Sequence, residues 1–587
     1  MKKIFFSLLI LTTVIFTGCR SDEPYDEPNG EEEHENLFPA EIDKEYDDGS
    51  PVVFPELNSQ LIADLELLCK IWGFLKYHHP EVGKGNYNWD YELFRMLPAY
   101  LQVNNTEERD RALLAWINRY GAIPVCTTCR ETPSDAYIKP NLLWAENSNM
   151  NQALKEKIRE IYQNRHQGEH YYVQMVDGVY NPLFLHENLY NFYYPDDGFR
   201  LLALFRYWNM IHYFFPYKYL TDNNWDDIIP EYIPLFVSAS NRLEYELAAL
   251  QLTCEINDTH ASFGGGTAIA QSRGAYYAPF HVLFIEGKWV VTYYFNPELA
   301  ELSDIKIGDV ITHINGEAVE SIIENRKKYY PASNRAVQLW KMSFDLLRST
   351  QNTMNIQSEQ RGQITLQLYT TNYLPNFVYA YNGYVNKNEK CYKLLDGNIG
   401  YITLASIKFE DVTEIRNAIS DTKGLIIDIR NYPNSSAIFS LLSYFYSSNT
   451  PYATFTRGNP DNPGEFTFYS SNYASYYGET YQGKLIVIVN EHAISHAEFT
   501  AMALRAGVNT TIIGSSTAGA DGNVSSIYLP GGLRTRISGI GVYYPDGTGT
   551  QRVGIVPDVW VEPTIEAIRQ GRDEPLEMAI HLINEEL

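Results

Sequence analysis

One spacing, 136 residues, governs the N-terminal half of this 587-residue chain. Ile71-Trp72-Gly-Phe-Leu-Lys-Tyr-His-His-Pro80 lines up with Tyr207-Trp208-Asn-Met-Ile-His-Tyr-Phe-Phe-Pro216. Each run is followed by Asn-Trp-Asp, at Asn88-Trp89-Asp90 and Asn224-Trp225-Asp226. Three landmarks at one offset mark two copies of one unit. Each copy reads as an amphipathic helix stopped by Pro, a loop and a second helix. His78, His79 and His212 are expected as core and cap residues of these helices, not as ligands. The Tyr-rich alternation over 166–196 predicts a hairpin between the copies. A chain of this length cannot share one core, so about three to five units are expected.

The net charge of −26 argues against nucleic acid, whose phosphates call for clustered Lys and Arg. It also gives no attraction to anionic lipid, so membrane contact is expected only through an anchor. Met1-Lys2-Lys3 followed by the apolar run Ile4 to Phe16 reads as a signal peptide, too short to span a bilayer. It ends in Phe16-Thr17-Gly18-Cys19, which resembles a bacterial lipoprotein signal and implies lipidation of Cys19. The signal covers 1–19, and an acidic tether is expected over 20–50, where little apolar surface is available to bury.

Beyond Cys19 five cysteines remain, an odd number that makes no disulfide framework. Cys126-Thr-Thr-Cys129 lacks two further zinc ligands, so a local disulfide or two thiols is expected, and export favours the disulfide. No metal and no cofactor are expected.

The helical copies are assigned to 51–165 and 166–275. From 276 to 370 the pattern changes to short strands. Ile305-Lys-Ile-Gly308-Asp309-Val-Ile-Thr-His-Ile-Asn315-Gly316-Glu-Ala-Val319 gives strand, Asn-Gly turn and strand. This stretch resembles the core signature of a PDZ domain. That resemblance implies capture of a polypeptide C-terminus by strand addition, or a lid that binds nothing.

Residues 371–587 alternate as an α/β layer structure. Strands are expected at 399–404, 424–429, 484–489 and 511–514, and helices at about 410–419 and 495–506. Ser495 stands where the third strand gives way to the last helix. A hydroxyl there lies beside unsatisfied N–H groups at the positive helix end, which suits a nucleophile and its oxyanion. Ser495-His-Ala-Glu498 alone is equally a capping box, which needs no catalysis.

Four stretches carry a wider resemblance: Asn490-Glu-His-Ala-Ile-Ser495-His-Ala-Glu498, Gly514-Ser-Ser-Thr-Ala-Gly519-Ala-Asp-Gly522, Gly554-Ile-Val-Pro557-Asp558 and Asp428-Ile-Arg430-Asn-Tyr-Pro433. In this order they resemble the serine-peptidase family of the tail-specific (C-terminal processing) proteases and the tricorn core. The resemblance implies a ClpP/crotonase-like α/β core with Ser495 as nucleophile. Tail-specific proteases use a Lys about 25 residues downstream, but Ala520 stands there and no Lys follows Ser495. The tricorn-like branch uses an upstream His preceded by a hydroxyl residue, a pattern matched by Asp258-Thr259-His260. It implies His260 as base, with Thr259 or Asp258 in support and a late acidic residue near the closing motif, for which the nearest candidates are Gln551 and Asp546. His492 and His496 are rival bases. The oxyanion donors implied are the N–H groups of His496 and of Asn434, the latter where the family has Gly-Gly.

The expected activity is a serine-type endopeptidase in the cell envelope, lipid-anchored on the outer membrane, cleaving unstructured or C-terminal protein segments. The alternative is a catalytically silent peptide-binding lipoprotein on the same fold. A glycan-binding surface lipoprotein rests only on the 46 Tyr and the anchor.

Overall fold

The computed structural model describes residues 37–381 and 389–585. The signal segment, Cys19 and the tether as far as residue 36 lie outside the described residues. The end of the expected tether is packed, not free. Ala40 N–H donates to Gly85 O, Phe38 stands edge-on to Tyr171, and Ser50 Oγ donates to Asp196. Phe38, Ala40 and Val52 supply the apolar surface that the acidic stretch before them lacks. Among the described residues no helix is long and apolar enough to cross a membrane.

Helices α1 (Ser59–His78) and α2 (Trp89–Tyr100) form the first copy, and α3 (Asp197–Phe214) and α4 (Ile229–Val237) the second. The Asn-Trp-Asp sequence acts alike in both. Asn88 and Asn224 cap the turn that follows. The Trp72 and Trp89 indoles each donate to the other's carbonyl, at 3.0 and 2.8 Å; Trp208 and Trp225 do the same at 2.9 and 3.1 Å. A buried indole N–H needs a partner, and the reciprocal bond satisfies both. Helices α1 and α3 cross at equivalent positions, Gly73 and Asn209. A Cβ on Gly73 would fall 1.8 Å from Asn209 Oδ1, so only glycine lets Asn209 reach Cys69 O. The copies meet face to face and share one core, so the expected boundary between 165 and 166 does not separate two cores. The strands Val524–Leu529 and Leu533–Ser538 add Ile527, Leu529, Leu533 and Ile537 to that core. A C-terminal hairpin is thereby built into the N-terminal half. Cys126 and Cys129 are joined by a disulfide.

The middle unit is an antiparallel sheet of β1 (Phe280–Ile285), β2 (Lys288–Tyr294), β3 (Val310–Ile314), β4 (Thr353–Ser358) and β5 (Gly362–Gln367), in the order β5-β4-β3-β2-β1. Asn315 and Gly316 both have positive φ, as a tight hairpin turn requires. Helix α5 (Arg335–Leu346) packs on β1, where His281 Nε2 hydrogen-bonds Ser343 Oγ at 2.8 Å.

The C-terminal unit centres on a sheet of β6 (Tyr392–Leu395), β7 (Ile399–Thr403), β8 (Gly424–Asp428), β9 (Lys484–Val489), β10 (Thr510–Gly514) and β11 (Val559–Trp560), in that order and parallel from β7 onward. Helix α6 (His496–Arg505) packs on one face and α7 (Glu574–Asn584) on the other. Coverage of both faces is why these strands read as continuous apolar runs.

Seven buried histidines carry a stability prediction. Burial pushes His78 and His281 down to about 3, and His79, His212, His492 and His496 to about 4, with His170 also lowered. Unfolded, they would bind protons from about pH 6.5. Burial acts oppositely on Glu498, lifted to about 7, and raises Glu491 and Asp521. Glu498 thus keeps its proton near pH 5 in the folded state and releases it on unfolding, and the upward shifts of Glu491 and Asp521 act in the same direction. The histidines outnumber them, so unfolding near pH 5 takes up protons net and stability falls from pH 6.5 toward 4. Urea unfolding midpoints at pH 7 and pH 5 measure this.

Candidate active site

Strand β9 delivers the chain to Asn490, whose side chain accepts His492 N–H at 3.1 Å and whose carbonyl accepts Ala493 N–H at 2.9 Å. This tight turn ends at Ser495, with φ 55° and ψ −115°, immediately before α6. A serine at positive φ between strand and helix is a strained position held by its surroundings. Ser495 N–H donates to Ala520 O at 2.9 Å and to Glu498 Oε2 at 3.3 Å. Ser495 and Glu498 stand at the two ends of the expected capping box, with the Glu498 carboxylate accepting the Ser495 N–H. Buried Glu498 also accepts Gly519 N–H, Ala520 N–H and the Thr517 hydroxyl. One carboxyl thus ties the turn carrying Ser495 to segment 517–520. Gly519 has φ +67°, and a Cβ there would press on the Arg552 backbone at 2.9 Å.

His260 follows the last helix of the second copy, and the strand Phe263–Gly264 just after it pairs with Arg534 and Thr535. That pairing brings Ser538, 278 residues away, to the imidazole. Ser538 Oγ lies 2.8 Å from His260 Nδ1 and donates to Asp258 Oδ1 at 3.1 Å. With its one hydrogen on Asp258, Ser538 accepts from His260 Nδ1–H, which leaves the lone pair on Nε2. Asp258 is fully buried and further accepts Ser538 N–H at 2.6 Å, His260 N–H at 3.0 Å and Gln551 Nε2 at 3.3 Å. Burial lowers the His260 pKa, Asp258 opposes this, and Lys341 and Arg536 reinforce it.

Thr259 is not in this relay. Its hydroxyl donates to Ala518 O at 2.9 Å and accepts Ser333 N–H at 2.8 Å. Ala518 N–H in turn donates to Ala493 O, two residues before Ser495. The His260 and Ser495 segments are therefore linked through Thr259, Ala518 and Ala493. His260 Nε2 is buried and has no hydrogen-bond partner, so it does not yet bond Ser495 Oγ in this arrangement. Gln551 joins the relay at Asp258, whereas Asp546 sits in an exposed turn accepting Thr548 N–H.

The rival bases face elsewhere. The His496 ring stacks on Phe439, and the His492 ring packs beside Trp340. His496 N–H is the first of α6 and has no acceptor within the helix by position, which suits an oxyanion donor. Asn434 is a correction: its N–H is spent on Leu404 O at 2.8 Å, because the non-glycine segment after Arg430 folds back onto the end of β7. Ser538 was missed by sequence reasoning, and no local motif marks it. Among the described residues no cluster of His, Cys, Asp and Glu fits a metal ion.

The sequence profile described as Peptidase family S41 matches residues 398–561. A carboxy-terminal-processing protease of Bartonella bacilliformis is 27% identical over 194 residues, which cover 31% of this chain and 43% of that protein. The match therefore spans less than half the relative's length. Mature CPAF complexed with lactacystin superposes with TM-score 0.50 at 13% identity, over 66% of this chain and 99% of CPAF. A CPAF variant gives 0.51 at 14% identity, over 66% and 98%. At these identities the likeness is one of fold. Residues 398–561, with Ser495 at the strand-to-helix turn inside them, are a peptidase family S41 domain.

Proposed function

We propose that the chain is a serine endopeptidase of the cell envelope in which Ser495 attacks the scissile carbonyl and His260 is the base. The observation that carries this is the Asp258–Ser538–His260 relay, which fixes the imidazole with its lone pair on Nε2. Ser495 Oγ bonds to the carbonyl carbon as its proton passes to Nε2, and His496 N–H faces the oxyanion. The imidazolium then protonates the departing amine, leaving an acyl-enzyme on Ser495. Water attacks it, giving its proton to Nε2, and Ser495 regains a proton as the acid product leaves. Catalytic hydrogen bonds often close only on substrate binding, so the unmade Oγ to Nε2 bond is compatible with this role.

The β-rich unit fits a PDZ-like role of capturing a chain end, the acylated Cys19 fits the membrane anchor, and the substrate class is an unstructured or C-terminal polypeptide segment. The bond spent by Asn434 N–H favours a second reading, a silent peptide-binding protein on the same fold. Fluorophosphonate labelling separates them: an active site labels at Ser495, and a silent one does not label. Ser538→Ala is expected to slow labelling and lower kcat/KM by about 10²-fold, because the tautomer is no longer set. Stopped labelling reactions compared with the unmutated chain measure this.

A further inference from the structure

Lys341 belongs to α5 of the β-rich unit, yet its ammonium reaches out to the segment that carries His260. Its Nζ donates to Thr259 O at 3.0 Å and to Pro331 O at 2.6 Å. Thr259 is gripped twice more from the same stretch. Its N–H donates to Ser333 Oγ and its hydroxyl accepts Ser333 N–H, each at 2.8 Å. The residue before His260 is thus held by three bonds from residues 333–341. Two of the ammonium's three protons are spent on carbonyl oxygens, which makes it an anchor and not a base.

The charge matters as well as the bonds. Burial brings Lys341 down to about 8, with Asp258 and Cys254 opposing the fall. Lys341 and Arg536 both act on His260 against protonation, and Asp258 acts for it. Glu255 and Arg273 also act on Cys254, beside the same ammonium. Asp258 is therefore the acid that acts on both Lys341 and His260, and Lys341 is the cation anchored at the carbonyl of the residue before His260.

We infer that Lys341 is a positioning residue for the base, anchoring the His260 segment through the Thr259 carbonyl while its positive charge disfavours a second one on the imidazole. This rests on His260 being the base. The test uses the full chain with two variants: Lys341→Gln, neutral but still a donor, and Lys341→Arg, which keeps the charge. One readout is the rate of fluorophosphonate labelling at Ser495. The other is the NMR titration midpoint of the His260 ring in a Ser495→Ala background, which does not depend on activity.

Lys341→Gln is expected to slow labelling about 10-fold and raise the midpoint by about half a unit to one unit. Lys341→Arg is expected to leave the midpoint in place and recover most of the rate. An unmoved midpoint in Lys341→Gln, or equal loss of rate in both variants with no shift, would overturn the inference. Labelling that survives His260→Ala but is lost in Lys341→Gln would also overturn it, by making the lysine the base. Absence of labelling in the unmutated chain would sink the peptidase reading instead, and the midpoint would still decide the role of Lys341.

Discussion

Ser495→Ala is expected to abolish fluorophosphonate labelling and to lower peptide cleavage by about 10⁴-fold or more, while the melting temperature stays within a few degrees of the unmutated chain. The two parts of this expectation have different causes. Activity is expected to fall because the attacking oxygen is gone. The His496 ring lies on Phe439 and the rings of His492 and Trp340 pack together, so neither imidazole is placed to act as a substitute nucleophile. Stability holds because the bonds that fix the turn run from the Ser495 N–H to Ala520 and Glu498, and alanine keeps that N–H. Removing Glu498 instead would free four donors at once, so an unfolding phenotype belongs to that position and not to Ser495.

His260→Ala is expected to cost about 10³-fold in kcat/KM, the middle of what a positioned base supplies. The pH dependence gives the sign. Burial, helped by Lys341 and Arg536, lowers the His260 pKa, so the neutral base persists below pH 6.5. The acid limb of kcat/KM in the unmutated chain is therefore expected below pH 6.5, with activity lost as pH falls through it, and His260→Ala is expected to lose that limb. An acid limb above pH 6.5 would mean that another group titrates. A rate profile from pH 4.5 to 8, recorded within the range where the fold survives, distinguishes the two.

Much of the architecture was legible because it is written in local patterns. The strands expected at 399–404, 424–429, 484–489 and 511–514 appear at Ile399–Thr403, Gly424–Asp428, Lys484–Val489 and Thr510–Gly514. A parallel strand covered on both faces has few ways to read except as an apolar run. The 136-residue offset likewise showed two equivalent helices. It did not show that they pack on each other at Gly73 and Asn209, since a crossing point depends on both partners together.

The candidate site was less legible where its parts come from distant segments. Ser495, His260 and Asp258 stand in recognisable stretches. Ser538 reaches His260 only because Arg534 and Thr535 pair with Gly264 and Phe263 across the chain, and a lone serine at a strand end has no signature. Thr259 looked like the relay hydroxyl because it adjoins His260 in sequence. In the fold its hydroxyl faces Ala518 and Ser333, and the hydroxyl facing the imidazole is supplied by the neighbouring strand. Asn434 failed as an oxyanion donor for a related reason: which carbonyl a backbone N–H meets is decided by tertiary folding, here by Leu404.

Chemical rescue tests most directly whether His260 serves Ser495. In His260→Ala, labelling of Ser495 by a fluorophosphonate is expected to be nearly absent and to return in proportion to added imidazole, as free base replaces the missing ring. Labelling of His260→Ala at the unmutated rate without imidazole would contradict it.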